Sequence, residues 1–124
     1  MRAQIAFAGI ALFSIVAGVP LASRQVRPNR WYGLRIRATL ADEHVWYEAN
    51  AATGRDLVLL GGVLLVAALA LPHVGLSPLA YVAVWGGAFL AGSLASTARG
   101  CRLANRLRQV RGGSPGSGPR PVGR

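Results

Sequence analysis

The sequence predicts an all-α membrane protein with three transmembrane helices and a cytoplasmic amphipathic helix between the first and the second. Of the 124 residues, 52% are hydrophobic and only 15% are charged. Residues 3–23 and 57–98 contain no Asp, Glu, Lys or Arg. These two blocks are long enough for three crossings of about 20 residues each. A buried helical hairpin in a soluble protein is the alternative.

We expect the spans at about residues 3–22, 55–72 and 78–98, within one domain covering residues 1–111. A cleaved signal peptide is the alternative for the first run. Cleavage after Ala22 would place Pro20 at the −3 position, however, which favours a retained span. The second run reaches Pro72 early, so its helix must begin before Leu57 or continue past the proline. Ser77 and Pro78 are typical of an N-cap and the first position of a third helix.

The distribution of arginine predicts the orientation of the chain. All 14 basic residues are arginines, and the net charge is +10. Arg2 stands alone before the first span, whereas the other arginines lie in residues 24–55 and 99–124, and the turn at 72–78 has none. Because basic residues accumulate on the cytoplasmic side of spans, we expect residues 24–54 and the C-terminus to be cytoplasmic. Nucleic acid is not an expected partner, because no aromatic residues alternate with the arginines of the tail.

The polar segment at residues 24–54 predicts a loop followed by a helix. Pro28 keeps the residue before it out of a helix, and Gly33 permits a bend. Thr39 fits an N-cap with Asp42 as the acid of a capping box, which starts a helix at residues 40–52. The apolar stripe of this helix suits a position along the cytoplasmic interface and consists of Val45, Trp46, Ala49 and Ala52.

The C-terminal part predicts a basic helix and a disordered tail. Leu103, Leu107 and Val110 form an apolar stripe flanked by arginines, which is typical of a juxtamembrane helix held on anionic lipid. Residues 112–124 are low-complexity Gly, Pro, Ser and Arg, so we expect them to be disordered. Small residues predict close helix packing on the first and third spans and leave a homo-oligomer open: Ser14, Gly18, Ala88, Gly92 and Ser96.

No stretch of the sequence predicts an enzyme, a cofactor or a metal site. His44 and Glu48 lie one helical turn apart, but two ligands do not complete a zinc site. No ionisable side chain lies within a predicted span, which disfavours a pump or a channel. Glycine patterns of nucleotide-binding loops are absent. We therefore predict no catalytic residue.

Residues 28–54 resemble the signature of the SdpI family of small bacterial membrane proteins. That pattern is a Pro-Asn pair, a Gly followed by Leu or Ile (here Leu34) and then Arg, a Thr a few residues later, and then Trp followed by Asn and Gly. The resemblance implies a multi-pass protein of the bacterial inner membrane and a binding role for the matched positions. These are Pro28, Asn29, Gly33, Arg35, Thr39, Trp46, Asn50 and Gly54.

The resemblance also implies partners. The named member of the family is an immunity protein against a secreted peptide toxin and is thought to hold a cytosolic repressor at the membrane. The leading hypothesis is therefore toxin immunity or signalling through residues 28–54. The present chain differs in having fewer spans and an arginine-rich tail.

Two other functions follow from the residues themselves. One is a small accessory or structural subunit of a larger membrane complex, which has no ligand of its own and packs through its small-residue faces. The other is binding of anionic lipid led by the basic tail. All three hypotheses have the lipid bilayer as a partner.

Overall fold

The computed structural model describes residues 2–113, and their regular structure is entirely helical. The elements are α1 (Arg2–Ala22), α2 (Arg37–Ala41), α3 (Glu43–Ala70), a short 3-10 helix (Leu71–Val74) and α4 (Pro78–Gly112). Three helices are long and apolar enough to cross a membrane, Arg2–Ala22, Glu43–Val74 and Pro78–Gly112, which confirms that part of the prediction. Of the predicted tail at 112–124, residues 114–124 lie outside the described part of the chain, and Gly112 is the last residue of α4.

Helix α3 is the central element, and α1 packs against it backbone to backbone. A Cβ added at Gly18 would lie 2.7 Å from the carbonyl oxygen of Gly54, and one added at Gly61 would lie 2.8 Å from that of Ala11. Later residues of α1 therefore meet earlier residues of α3, so the two helices are antiparallel. Ser14 is also buried. The predicted close packing of Ser14 and Gly18 is confirmed.

Aromatic side chains join all three long helices near the turn at residues 71–77. The indole N–H of Trp85 on α4 donates to the carbonyl of Leu64 at 2.9 Å, and the hydroxyl of Tyr81 donates to that of Ala68 at 3.1 Å. Phe7 of α1 stacks on Trp85, with 4.3 Å between ring centroids. In an apolar span a polar group must find a partner within the protein, and these two do so.

The small residues of α4 also pack within the chain. A Cβ at Gly92 would collide with the side chain of Leu60, and one at Gly100 would lie 2.6 Å from the hydroxyl of Thr53. Ser96 is buried, whereas Ala88 is exposed. The small-residue faces suggested as contacts with a larger complex are therefore largely occupied by the chain's own helices.

The predicted amphipathic helix at residues 40–52 is not a separate element of the described chain. Helix α3 continues from Glu43 to Ala70, and the residues of the predicted stripe form its first turns. Its N-cap is Asp42, whose carboxylate accepts from the N–H of His44 at 2.9 Å, whereas Thr39 lies inside α2. The continuous helix of 28 residues is about 42 Å long, which accounts for the apparently short second span.

The apolar stripe of α3 faces the protein and not the membrane surface. Val45, Trp46 and Ala49 are fully buried. Val45 and Ala49 cluster with Ala38 of α2 and Ala104 of α4. The sequence pattern is the same whether such a stripe meets lipid or protein, and here it meets protein.

Helix α4 begins as predicted and continues further than predicted. Ser77 caps it by accepting from the N–H of Ala80 at 3.2 Å, with Pro78 at the first position. The predicted juxtamembrane helix is its last part, since the helix is unbroken to Gly112. There Leu107 packs against α2 and α3, whereas Val110 is 73% exposed and does not join the stripe.

We predict that Gly54→Ala destabilises the protein, because its added methyl group would meet the backbone of α1 at Gly18 and Ala22. Overpacking of this kind costs about 1–3 kcal/mol. Thermal unfolding in detergent, followed by tryptophan fluorescence, would measure the loss. Gly62→Ala is the matched control on the same helix, since nothing lies within 4 Å of its added Cβ. Equal melting temperatures for the two variants would contradict the close α1–α3 contact.

Candidate functional site

The loop between α1 and α2 is closed by the side chain of Asn29. Its Oδ1 accepts from the N–H groups of Trp31 at 2.8 Å and Tyr32 at 2.7 Å, while its Nδ2 donates to the carbonyl of Arg27 at 2.8 Å. Asn favours such turns because its short amide can replace backbone partners. Pro28 is half-buried and fixes the backbone just before the turn. One side chain thus shapes the first half of the loop.

Asn50 of α3 holds the second half of the loop. Its Oδ1 accepts from the N–H of Leu34 at 2.5 Å, and its Nδ2 donates to the carbonyl of Trp46 at 3.0 Å. Asn50 is only 2% exposed, so these bonds are shielded from water. Gly33 has a φ of +103°, and a Cβ there would lie 2.5 Å from the same Oδ1. Glycine is therefore needed both for the backbone conformation and for the close approach.

Trp46 and Thr39 bond to further backbone groups of the loop. The buried indole of Trp46 donates its N–H to the carbonyl of Val26 at 3.0 Å. The hydroxyl of Thr39 accepts from the N–H of Ile36 at 3.0 Å and lies 2.9 Å from the carbonyl of Leu34. A buried backbone group without a partner would be costly, so these side chains stabilise one conformation of the loop.

The side chains of residues 34–37 alternate between the protein interior and the solvent. Leu34 and Ile36 pack against the apolar cluster beneath, whereas Arg35 and Arg37 are exposed, as the alternation predicts. Trp31 is 92% exposed. Within residues 2–113, Arg35 has no hydrogen-bond or ion-pair partner. We call the exposed set formed by Arg30, Trp31 and Arg35 of the loop, together with Arg37 at the start of α2, the outer face of the loop.

Tyr32 lies between the two sides of the loop. It is half-buried, and this burial raises the pKa of its hydroxyl above the ordinary value of 10.0. The hydroxyl is therefore neutral at physiological pH and adds no charge to the arginines around it.

The signature residues thus fall into those that contact the protein and those that face the solvent. Asn29, Gly33, Thr39, Trp46 and Asn50 all shape the loop or hold it on α3, and Gly54 lies against α1, four residues after Asn50. Of the eight, Gly33 and Arg35 are exposed, and Arg35 is the one with an exposed side chain; Pro28 is half-buried. The role of these residues in binding stays a prediction.

Among residues 2–113, three ion pairs that sequence spacing does not predict hold the arginine-rich end together. Arg24 pairs with Glu48 at 2.7 Å, Arg99 with Asp56 at 2.9 Å, and Arg111 with Asp42 at 2.8 Å. Each joins distant parts of the chain, so no local spacing signals it. The pair of Asp42 is the most buried, since the Asp42 side chain is 3% exposed. This ion pair joins the end of α4 to the N-cap of α3.

A cleft lies between α3 and α4 at the same end. Its volume is about 300 Å³. Three arginines of α4 border it at the spacing i, i+3, i+7, which places them on one face of the helix. The lining residues are Ala52, Asp56, Arg99, Arg102, Leu103 and Arg106. That arginine spacing is visible in the sequence, but the facing residues of α3 are not.

The described residues do not assemble a metal centre. Between residues 2 and 113, no three His, Cys, Asp or Glu side chains are placed to hold a metal ion. His44 is exposed at the start of α3, and Cys101 is a free thiol.

Comparison with known proteins gives a family match. The SdpI/YfhL protein family matches residues 25–98, more than half of the chain. The matched region contains the loop, α2, α3 and the apolar part of α4. No curated protein and no solved structure matches the chain.

We predict that Asn50→Ala releases the loop from α3. The N–H of Leu34 then loses its partner, and an unsatisfied buried group costs about 1–3 kcal/mol. Limited trypsin digestion would report this directly, because the loop contains Arg30 and Arg35 as cleavage sites. We expect faster cleavage in this segment than in the wild type.

Asn105→Ala is the matched control for that experiment. Asn105 is exposed on α4, so its replacement should leave the cleavage rate at Arg30 and Arg35 unchanged. An unchanged rate in Asn50→Ala as well would show that the amide does not hold the loop.

Proposed function

Because this chain belongs to the SdpI/YfhL protein family, we propose that it is an immunity or signal-relay protein responding to a membrane-active peptide. Recognition of a peptide or protein partner takes place at the outer face of the loop. The observation that carries the proposal is an almost fully exposed Trp31 on a loop whose backbone is hydrogen-bonded by Asn29 and by Asn50 of α3. The chain acts by binding and not as an enzyme.

The composition of the outer face supports recognition. Tryptophan and arginine are the residues that most often dominate the binding energy of protein interfaces. Arg35 has a free guanidinium, which can make paired hydrogen bonds with a carboxylate. Because the loop is already ordered, binding costs less conformational entropy than it would for a flexible segment. An acidic or amphipathic partner fits this surface.

The arginine distribution supports a cytoplasmic position for the loop. Arginines gather where α1 ends, α3 begins and α4 ends, whereas the turn at the other end of the bundle has none. By the positive-inside rule, the arginine-rich end and the C-terminus then face the cytoplasm of a bacterial inner membrane. A partner at the outer face is in that case a cytosolic protein, such as a repressor, and toxin is sensed from within the membrane.

We expect Cys101 to be protected from a membrane-impermeant maleimide in intact cells and labelled after permeabilisation. Cys101 is the only thiol of the chain and lies at the arginine-rich end of α4. The control is His73→Cys in a Cys101→Ser background, which moves the thiol to the exposed turn at the opposite end. It should be labelled in intact cells. Labelling of Cys101 in intact cells would place the loop outside.

We expect Trp31→Ala and Arg35→Gln each to reduce protection of a sensitive bacterium against membrane-active peptides. Loss of an interface residue of this kind costs about 2 kcal/mol or more, which is at least a tenfold shift in inhibitory concentration. Survival across a broad panel of such peptides, with and without the gene, is the measurement. The amount of protein in the membrane fraction should not change.

The controls for this experiment match each substitution. Leu79→Ala removes an exposed apolar side chain at the far end of the bundle, and Arg108→Gln removes an exposed charge outside the loop. Both should protect as the wild type does. Equal survival with and without the gene for every peptide would count against immunity and favour the accessory-subunit hypothesis.

A further inference from the structure

We propose that the cleft between α3 and α4 binds the phosphate group of an anionic lipid, with Arg102 and Arg106 as its main ligands. The proposal concerns a different surface from the outer face of the loop and does not depend on the role proposed there. It rests on the charges that border the cleft, on its depth relative to the apolar spans, and on its size.

The cleft has positive charge that the described chain does not neutralise. The chain contains four acidic residues. Asp42 and Glu48 pair elsewhere, and Asp56 in the cleft pairs with Arg99 at 2.9 Å. Glu43 does not line the cleft. Within residues 2–113, Arg102 and Arg106 therefore have no acidic partner.

This arrangement favours an external anion. Like charges one helical turn apart destabilise a helix, so Arg102 and Arg106 repel each other while no anion lies between them. A phosphate between them would replace that repulsion by charge-assisted hydrogen bonds. Guanidinium groups make paired, geometrically matched bonds with phosphate oxygens.

The depth of the cleft identifies the source of the phosphate. Asp56 and Arg99 are the last charged residues on either side of the uncharged block 57–98. Their ion pair therefore marks the level at which the apolar spans end and the lipid headgroups begin. The arginines of the cleft continue from that level towards water, and basic pockets between helices at this depth bind anionic headgroups.

The size of the cleft fits a headgroup. A volume of about 300 Å³ is at the small end of ligand pockets. Ala52 contributes only a methyl group on the α3 side, which leaves room for the phosphate, and Leu103 gives the cleft an apolar portion. The acyl chains would extend from here along the exposed apolar surface of the spans.

The test is a lipid titration of the purified full chain in non-ionic detergent, with the unfolding temperature as the readout. Phosphatidylglycerol should raise the unfolding temperature, and phosphatidylcholine with the same acyl chains should not. In Arg102→Gln/Arg106→Gln the concentration for the half-maximal shift should rise at least about tenfold. Arg27→Gln/Arg108→Gln removes the same charge from positions that do not line the cleft and should respond as the wild type does.

Two outcomes would overturn the proposal. An equal loss of response in both double variants would show a diffuse effect of net charge. An equal shift of the wild type by inorganic phosphate would show that a soluble anion, and not a lipid, is the ligand.

A second variant covers the case in which the double variant does not fold. Ala52→Glu places a carboxylate in the cleft beside the arginines and should abolish the response to phosphatidylglycerol. A response that persists in Ala52→Glu would rule out the cleft as the binding site.

Discussion

The side-chain amide of Asn50 fixes how the chain passes from its first long helix to its second. Trp46, Asn50 and Gly54 follow one another at four-residue spacing and form one stripe of α3. The first bonds to Val26, the second bonds to Leu34, and the third lets the backbone of α1 approach. Apolar burial could be met by several arrangements of these helices. Only one of these arrangements gives the particular backbone groups near the membrane their hydrogen-bond partners.

Much of the fold could be predicted from the sequence, because membrane spans depend on length and on the absence of charge. The charge-free blocks located the three long helices, and Ser77 with Pro78 located the start of the last one. The continuity of α3 and α4 could not be predicted. An amphipathic pattern at residues 40–52 or 99–110 has the same period whether its apolar face meets lipid or another helix. Only the tertiary packing distinguishes these cases.

The sequence could identify the polar residues of the candidate site, but not whether their side chains face the protein or a ligand. The sequence singles out Asn29, Thr39 and Asn50 as polar residues in an apolar chain, which is correct, but it cannot say whether their partners are ligands or the chain's own backbone. The ion pairs were invisible for the related reason that their members are far apart in sequence. Trp31 with the exposed arginines of the outer face, and the cleft between α3 and α4, are available to a partner.

The continuity of α4 has a mechanical consequence. Its 35 residues form a rod about 52 Å long, with no break between Pro78 and Gly112. Near one end Trp85 stacks on Phe7 of α1, and at the other Arg111 bonds to Asp42 beside the loop. A rod without a hinge transmits tilt and rotation along its whole length. The same unbroken helix therefore links the aromatic contacts at the arginine-free end of the bundle to the ion pair beside the loop at the opposite end.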